Sequence, residues 1–255
     1  MNFIGRLGSI VARRLSQLGA LARFGFGACR ALVTLPVAGR AVAFRVTMNQ
    51  IRFTAVHAVA LIVLLSSILS FLVISQAAHE LGSIGKTEWL GTLMVVVIVR
   101  ELGPLVTALA VAGRSGTAIA AELATNQVMG EVRALEGMGI DPRQYLVVPR
   151  FVGGLISVFI LMILFDVVAV AGGLLAASFS GMTPGRYMDV VLQALTLRDV
   201  WLTVAKAFAF GIVVGLVPSF YGLAVRRGPT EIPIAASRAT VSSIVGIFLG
   251  AALFG

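Results

Sequence analysis

Arg100 and Glu101 stand side by side in an apolar run that extends from Leu90 to Ala112, with Gly103 and Pro104 just beyond them. Ionisable groups in hydrocarbon are costly, so they face a cavity, a pathway or a subunit contact rather than lipid tails. Lys206 and Asp166 are the other charged residues at membrane depth. The chemistry open to Arg100, Glu101 and Lys206 is recognition of an amphiphile, in which charged groups meet a lipid phosphate while apolar walls hold its acyl chains. A plainer reading makes Arg100 and Glu101 a structural ion pair and lets Lys206 extend to the outer headgroups. Asp166 has no partner legible in the sequence and is a packing or gating candidate.

Other chemistries lack their residues. Gly85, Lys86 and Thr87 imitate the end of a phosphate-binding loop, but that motif needs a glycine where Glu80 stands. There is no HExxH pair, no cysteine cluster and no GxSxG elbow, and His57 and His79 are too few and too far apart in sequence to suggest a site. The lone Cys29 has no disulfide partner in the chain. No catalytic or metal residue is expected, and no cofactor is expected in this chain.

The elements that must position the charges are membrane helices. With 58% hydrophobic and 12% charged residues and a mean hydropathy of +1.00, the composition is that of an all-α polytopic membrane protein. Apolar stretches near the ~20 residues needed to cross a bilayer run from about Ala55 to Ala78, Leu90 to Ala112, Phe151 to Phe179, Val200 to Val225 and Ala239 to Phe254. Five crossings follow. Eight arginines and no acid precede Phe53, so the excess of basic residues puts the N-terminus in the cytoplasm and the C-terminus outside. The loops then placed inside carry Arg114, Arg133, Arg143, Arg150, Arg226, Arg227 and Arg238, against Lys86, Arg186 and Arg198 outside.

Residues 1–52 form a basic N-terminal region, and 53–255 the membrane domain. The first region has no short apolar core with a clear cleavage site and is expected to be retained. Ile4, Leu7, Val11, Leu15, Leu18 and Ala22 share one helical face, while Arg6, Ser9, Arg13, Ser16 and Arg23 share the other. That pattern predicts an amphipathic helix in the membrane interface, against the alternative of a basic tail. Between the second and third runs, Val128, Val132 and Leu135 follow i, i+4, i+7 spacing, with Glu131, Arg133 and Glu136 as polar positions and Gly137 and Gly139 as a stop. A helix over about 125–139 is expected, serving either as a membrane-surface connector or as a segment offered to a soluble partner. Asp141 and Pro142 look like the start of the next helix. Gly246 and Gly250 have the spacing that allows two membrane helices to approach closely, which makes the fifth span a dimer-contact candidate.

The run from Arg100 to Arg150, and above all RELGP at 100 to 104, AGRSG at 112 to 116, AAEL at 120 to 123 and ALEGMGIDP at 134 to 142, strongly resembles the MlaE permease family. That family supplies the membrane subunit of a bacterial ABC transporter that moves phospholipids between the inner and outer membranes and maintains outer-membrane lipid asymmetry. The resemblance covers roughly residues 45 to 255. It implies a homodimeric inner-membrane permease, with five membrane helices per subunit, the second of them re-entrant or broken, and an N-terminal interfacial helix. It implies a phospholipid held in a dimer cavity, with Arg100 and Glu101 at the family's charged second-helix positions. Implied partners are a cytoplasmic ATPase (MlaF-like) that binds ATP and Mg, a STAS-domain protein (MlaB-like) and a periplasmic MCE-domain hexamer (MlaD-like). Val128, Glu131, Val132, Leu135 and Glu136 would lie on the coupling helix that enters the ATPase. Related permeases serve systems for sterols or fatty acids, and those remain alternatives. So do a non-transporting membrane scaffold, which would tolerate removal of the charges, and a headgroup-modifying enzyme, which would need clustered carboxylates or histidines at one interface.

Overall fold

The computed structural model describes residues 19–33, 37–83, 85–226 and 228–254, and every regular element among them is helical. In chain order these are α1 (residues 19–33), α2 (Val37–Ile51), α3 (His57–Ser83), α4 (Trp89–Leu93), α5 (Gly103–Val111), α6 (Thr117–Val128), α7 (Glu131–Gly137), α8 (Val148–Phe179), α9 (Pro184–Ala194), α10 (Leu197–Leu223) and α11 (Ile232–Phe254). Several join end to end through π-helical turns, giving five runs long and apolar enough to cross a membrane: Phe44–Ser83, Trp89–Val128, Arg143–Phe179, Leu197–Leu223 and Pro229–Phe254. Five crossings were expected, at the same places. The part of the expected N-terminal amphipathic helix from Ile4 to Leu18 lies outside the described residues. Within α1, Ala28 and Phe24 pack against Phe151 and Leu216, so this segment adheres to the third and fourth spans.

The second span is one helical run of 40 residues that widens into π-helix at Met94–Leu102 and again at Ala112–Gly116. Gly103 donates its N–H to Ile98 O, five residues back, and the wider turn carries the chain past Pro104, which has no N–H to offer. From Arg100 to Leu123 the span runs parallel to α10. Near one end Arg100 and Glu101 meet Asp199 and Lys206, and near the other Gly222 abuts Ala120 and Leu123.

The third span is central, packing on the first and the fourth, while the fourth also packs on the second and fifth. Ile62, Ile74, Met94, Ile98, Val158, Leu161, Phe165 and Val214 are completely buried at the centre of this assembly. Lipid tails are as apolar as leucine, so helices here associate through close packing rather than exclusion of water. Gly211 and Gly215 show this directly: a Cβ on either would lie 2.8 Å from the backbone of Leu155 or Phe151 on α8. Gly246 and Gly250 also permit close approach within the chain. A Cβ on Gly246 would meet Val213 at 3.3 Å, and one on Gly250 would meet Phe210 at 3.0 Å, both on α10. The outward face of α11 is instead Val241, Val245, Phe248 and Leu249, all exposed.

Candidate functional site

Four charged residues, two from the second span and two from the fourth, form an alternating chain. Lys206 Nζ donates to Glu101 Oε2 at 2.6 Å, Arg100 Nε to Glu101 Oε1 at 3.3 Å, and an Arg100 terminal nitrogen to Asp199 Oδ1 at 3.5 Å. Lys206 also donates to the backbone carbonyl of Arg100 at 3.1 Å. That carbonyl is the one left without an α-helical donor by Pro104, four residues on. The proline that widens the second span therefore creates the acceptor that draws in the lysine. Lys206 does not extend to headgroups: its side chain is 1% exposed and donates to two groups of the second span.

Asp199 completes the chain and was not picked out from the sequence. Two signals were available. Thr196 and Asp199 form a capping box, with each side chain accepting from the other's backbone N–H. Asp199 and Lys206 are seven residues apart, two turns on one helical face. The cap fixes the carboxylate at the start of α10 and leaves Oδ1 for Arg100. Two cations and two carboxylates give a network of zero net charge, which is how charges persist at this depth.

The network is closed on one side and open on the other. Lys206 is sealed, whereas the side chains of Arg100 and Glu101 are 26% and 36% exposed. A guanidinium has five N–H donors, and the two nitrogens engaged here leave donors for a further anion. At ~1.5 Å per residue, Glu101 lies about 18 Å along the helix from Trp89.

Asp166 lies outside this network, against the same turn of the second span. A Cβ on Gly103 would stand 2.5 Å from Asp166 Oδ1, so only glycine admits the carboxyl there. That oxygen is buried without a hydrogen-bond partner. The residue borders an apolar groove of about 710 Å³ between the second, third and fourth spans and α9.

At the opposite end of the second span the expected helix over 125–139 is two elements. Gly130, with φ of +81°, breaks it, so Val128 belongs to α6 and only Glu131–Gly137 forms the short α7. Val132 is 8% exposed and, with Leu135, packs on Ile119, Leu123 and Leu146, while Val128 packs with Ala124, Val225 and Ala235. The apolar stripe is thus used by the chain itself. The surface left for another molecule is Met129, Glu131, Arg133, Glu136 and Met138, all exposed. Asp141 caps the following helix as expected, accepting from Arg143 N at 2.9 Å. Arg150 is buried here, bonded at 2.7 Å to Glu122 on α6 and at 2.7 Å to the carbonyl of Leu146. This second ion pair ties the second span to the third. Among the described residues no group of His, Cys, Asp and Glu is arranged to hold a metal ion.

Comparison with known proteins matches this architecture to one family. Residues 47–255 match the family described as Permease MlaE. The chain is 32% identical over 225 residues to the intermembrane phospholipid transport system permease protein MlaE of Haemophilus influenzae, covering 87% of this chain and 84% of that one. It is 27% identical over 250 residues to a probable ABC transporter permease protein of Rickettsia typhi, covering 98% and 95%. It is 28% identical over 207 residues to the chloroplastic protein TRIGALACTOSYLDIACYLGLYCEROL 1 of Arabidopsis thaliana, covering 81% of this chain and 59% of that one. A five-span helical protein that matches this family's model over most of its length belongs to the MlaE family of ABC transporter permeases.

Proposed function

We propose that this chain is the permease subunit of an ABC transporter that moves phospholipid between the inner and outer membranes. The observation that carries the reading is the Lys206–Glu101–Arg100–Asp199 network, neutral overall but open at Arg100 and Glu101. A lipid phosphate accepts from the remaining donors of Arg100 while its acyl chains lie along the apolar spans. Lys206 acts from behind, holding Glu101 and through it the orientation of Arg100. The named function of the Haemophilus relative supports phospholipid as the substrate class.

The protein works as a homodimer in the inner membrane with its N-terminus in the cytoplasm, as the arginines before Phe53 require. The exposed face of Val241, Val245, Phe248 and Leu249 on α11 is the dimer contact. ATP and Mg are bound by a separate MlaF-like ATPase, which meets the exposed side of α7 around Met129 and Met138. An MlaB-like STAS-domain protein attaches to that ATPase, and an MlaD-like MCE hexamer caps the periplasmic side. Nucleotide-driven movement of α7 shifts the lipid cavity between states of different affinity.

The test is native mass spectrometry with lipid extraction on the chain co-expressed with its neighbouring genes. Wild type is expected to retain phospholipid and an ATPase. Arg100→Ala should lose the lipid and keep the ATPase, and Met138→Asp should do the reverse. A wild-type chain with neither lipid nor nucleotide-binding partner would overturn the transporter reading.

A further inference from the structure

Arg150 lies where three elements meet, with one donor unspent. Its side chain is 6% exposed. One terminal nitrogen donates to the carbonyl of Leu146 at the start of the third span, and the other to Glu122 on α6 at 2.7 Å. Its Nε is buried with no hydrogen-bond partner, although buried donors of charged groups are ordinarily paired. A cavity of about 420 Å³ borders this guanidinium, and a second carboxylate, Glu131 of α7, lines the same cavity. Glu131 is exposed and belongs to none of the ion pairs among the described residues. It shares the cavity with Ala134 and Leu135, whereas Arg133 stands at a different one beside Val225.

The ends of α7 are free to turn. Gly130 and Gly139 have φ of +81° and +74°, left-handed values that glycine adopts readily, and a Cβ on either would meet nothing within 4 Å. Between them α7 is a short unit of seven residues, seated through Val132 and Leu135 on Ile119, Leu123 and Leu146. Met129 and Met138, the contacts proposed above for the ATPase, adjoin the two glycines in the chain. Arg150 pins together the second and third spans directly beneath this seat. We propose that Arg150 is the positioning residue that couples α7 to the spans. When α7 rolls between its glycines, the Glu131 carboxylate closes on Nε, and the guanidinium, already holding Glu122 and Leu146, passes the movement to both spans. Arginine suits the task because Nε and a terminal nitrogen form a fork for one carboxylate while the remaining donors hold others. The inference rests on the reading of this chain as a permease driven by a partner ATPase, and it names the residues through which that drive arrives.

The experiment uses the chain in complex with its co-expressed ATPase, in liposomes of phosphatidylethanolamine and phosphatidylglycerol carrying a fluorescent phospholipid. It reads lipid exchanged with acceptor liposomes per ATP hydrolysed. Glu131→Gln is expected to lower that ratio about tenfold, within the range of coupling between linked sites, with thermal unfolding unchanged and the ATPase retained on native mass spectrometry. Arg150→Gln should lower it as far, and Arg150→Gln/Glu131→Gln no further, because the two act as one unit. A purely structural role for Arg150 would move stability without this non-additivity. A wild-type ratio in Glu131→Gln, or additive losses in the double variant, would overturn the proposal. Loss of the ATPase from Glu131→Gln would overturn it too, since Glu131 would then be a docking residue. A wild-type complex that moves no lipid at all would instead mark failure of the transport reading, on which this one stands.

Discussion

Lys206 and Glu101 depend on each other more than either depends on a ligand. Removing one member of a buried ion pair leaves the other uncompensated and costs about 3–5 kcal/mol, whereas replacing both by apolar groups is far milder. Lys206→Met is therefore expected to lower thermal stability in detergent sharply, and Lys206→Met/Glu101→Leu to recover most of the loss while leaving lipid binding impaired. If the single and double variants unfolded at the same temperature, the coupling would be absent. Gly103 makes a parallel case. A methyl group there collides with the Asp166 carboxyl, so Gly103→Ala should destabilise by the ~1–3 kcal/mol of an overpacked core. Adding Asp166→Ala should relieve most of it, as a thermal unfolding series would show. The sequence made Arg100, Glu101 and Lys206 conspicuous because charge in an apolar run has so few permitted roles. Asp199 was passed over because it stands at a span boundary, where an acid is ordinary. Its seven-residue spacing from Lys206 acquires meaning only once the second span is known to lie alongside.

At the scale of elements, spacing identified faces that pack closely, and the structure shows which of their neighbours lie within the chain. Val132 and Leu135 do form an apolar stripe, and it is covered by Ile119, Leu123 and Leu146 of the same chain. Leu135→Asp should therefore lower stability by a few kcal/mol through burial of a charge, measurable as a loss of folded protein on gel filtration. Met138→Asp should leave the fold intact and release the ATPase. Gly246 and Gly250 follow the same logic: the GxxxG pattern reports close approach without saying to which helix. Gly250→Leu must displace Phe210 within the chain, so its effect belongs to folding. Cysteine crosslinks between copies are expected from Val241 and Val245 rather than from Gly246, on a Cys29→Ser background. The break at Gly130 was also legible in principle, since a glycine with positive φ is a natural helix stop. The apolar spacing that continues across it concealed the division.

For the whole molecule, the arginine distribution makes a topological prediction. Lys86→Cys should react with an impermeant thiol reagent applied from outside, and Arg133→Cys only after the membrane is opened, again without Cys29. The opposite pattern would invert the protein and the direction in which its two charged sites face. Composition, the length of the apolar runs and the sequence from Arg100 to Arg150 were sufficient by themselves to establish a five-span membrane protein resembling the MlaE permeases. Those properties are additive along the chain, and the bilayer reads them locally as hydrophobic length and flanking charge. Tertiary structure alone decided that the second span widens into π-helix before Pro104, that Lys206 is sealed behind Glu101, and that Asp199 terminates the charge network. It also decided that the glycine and apolar stripes face inward. Each of these depends on which helices become neighbours, and in a medium that favours no apolar face over another that choice is made by shape and polar pairing between distant segments.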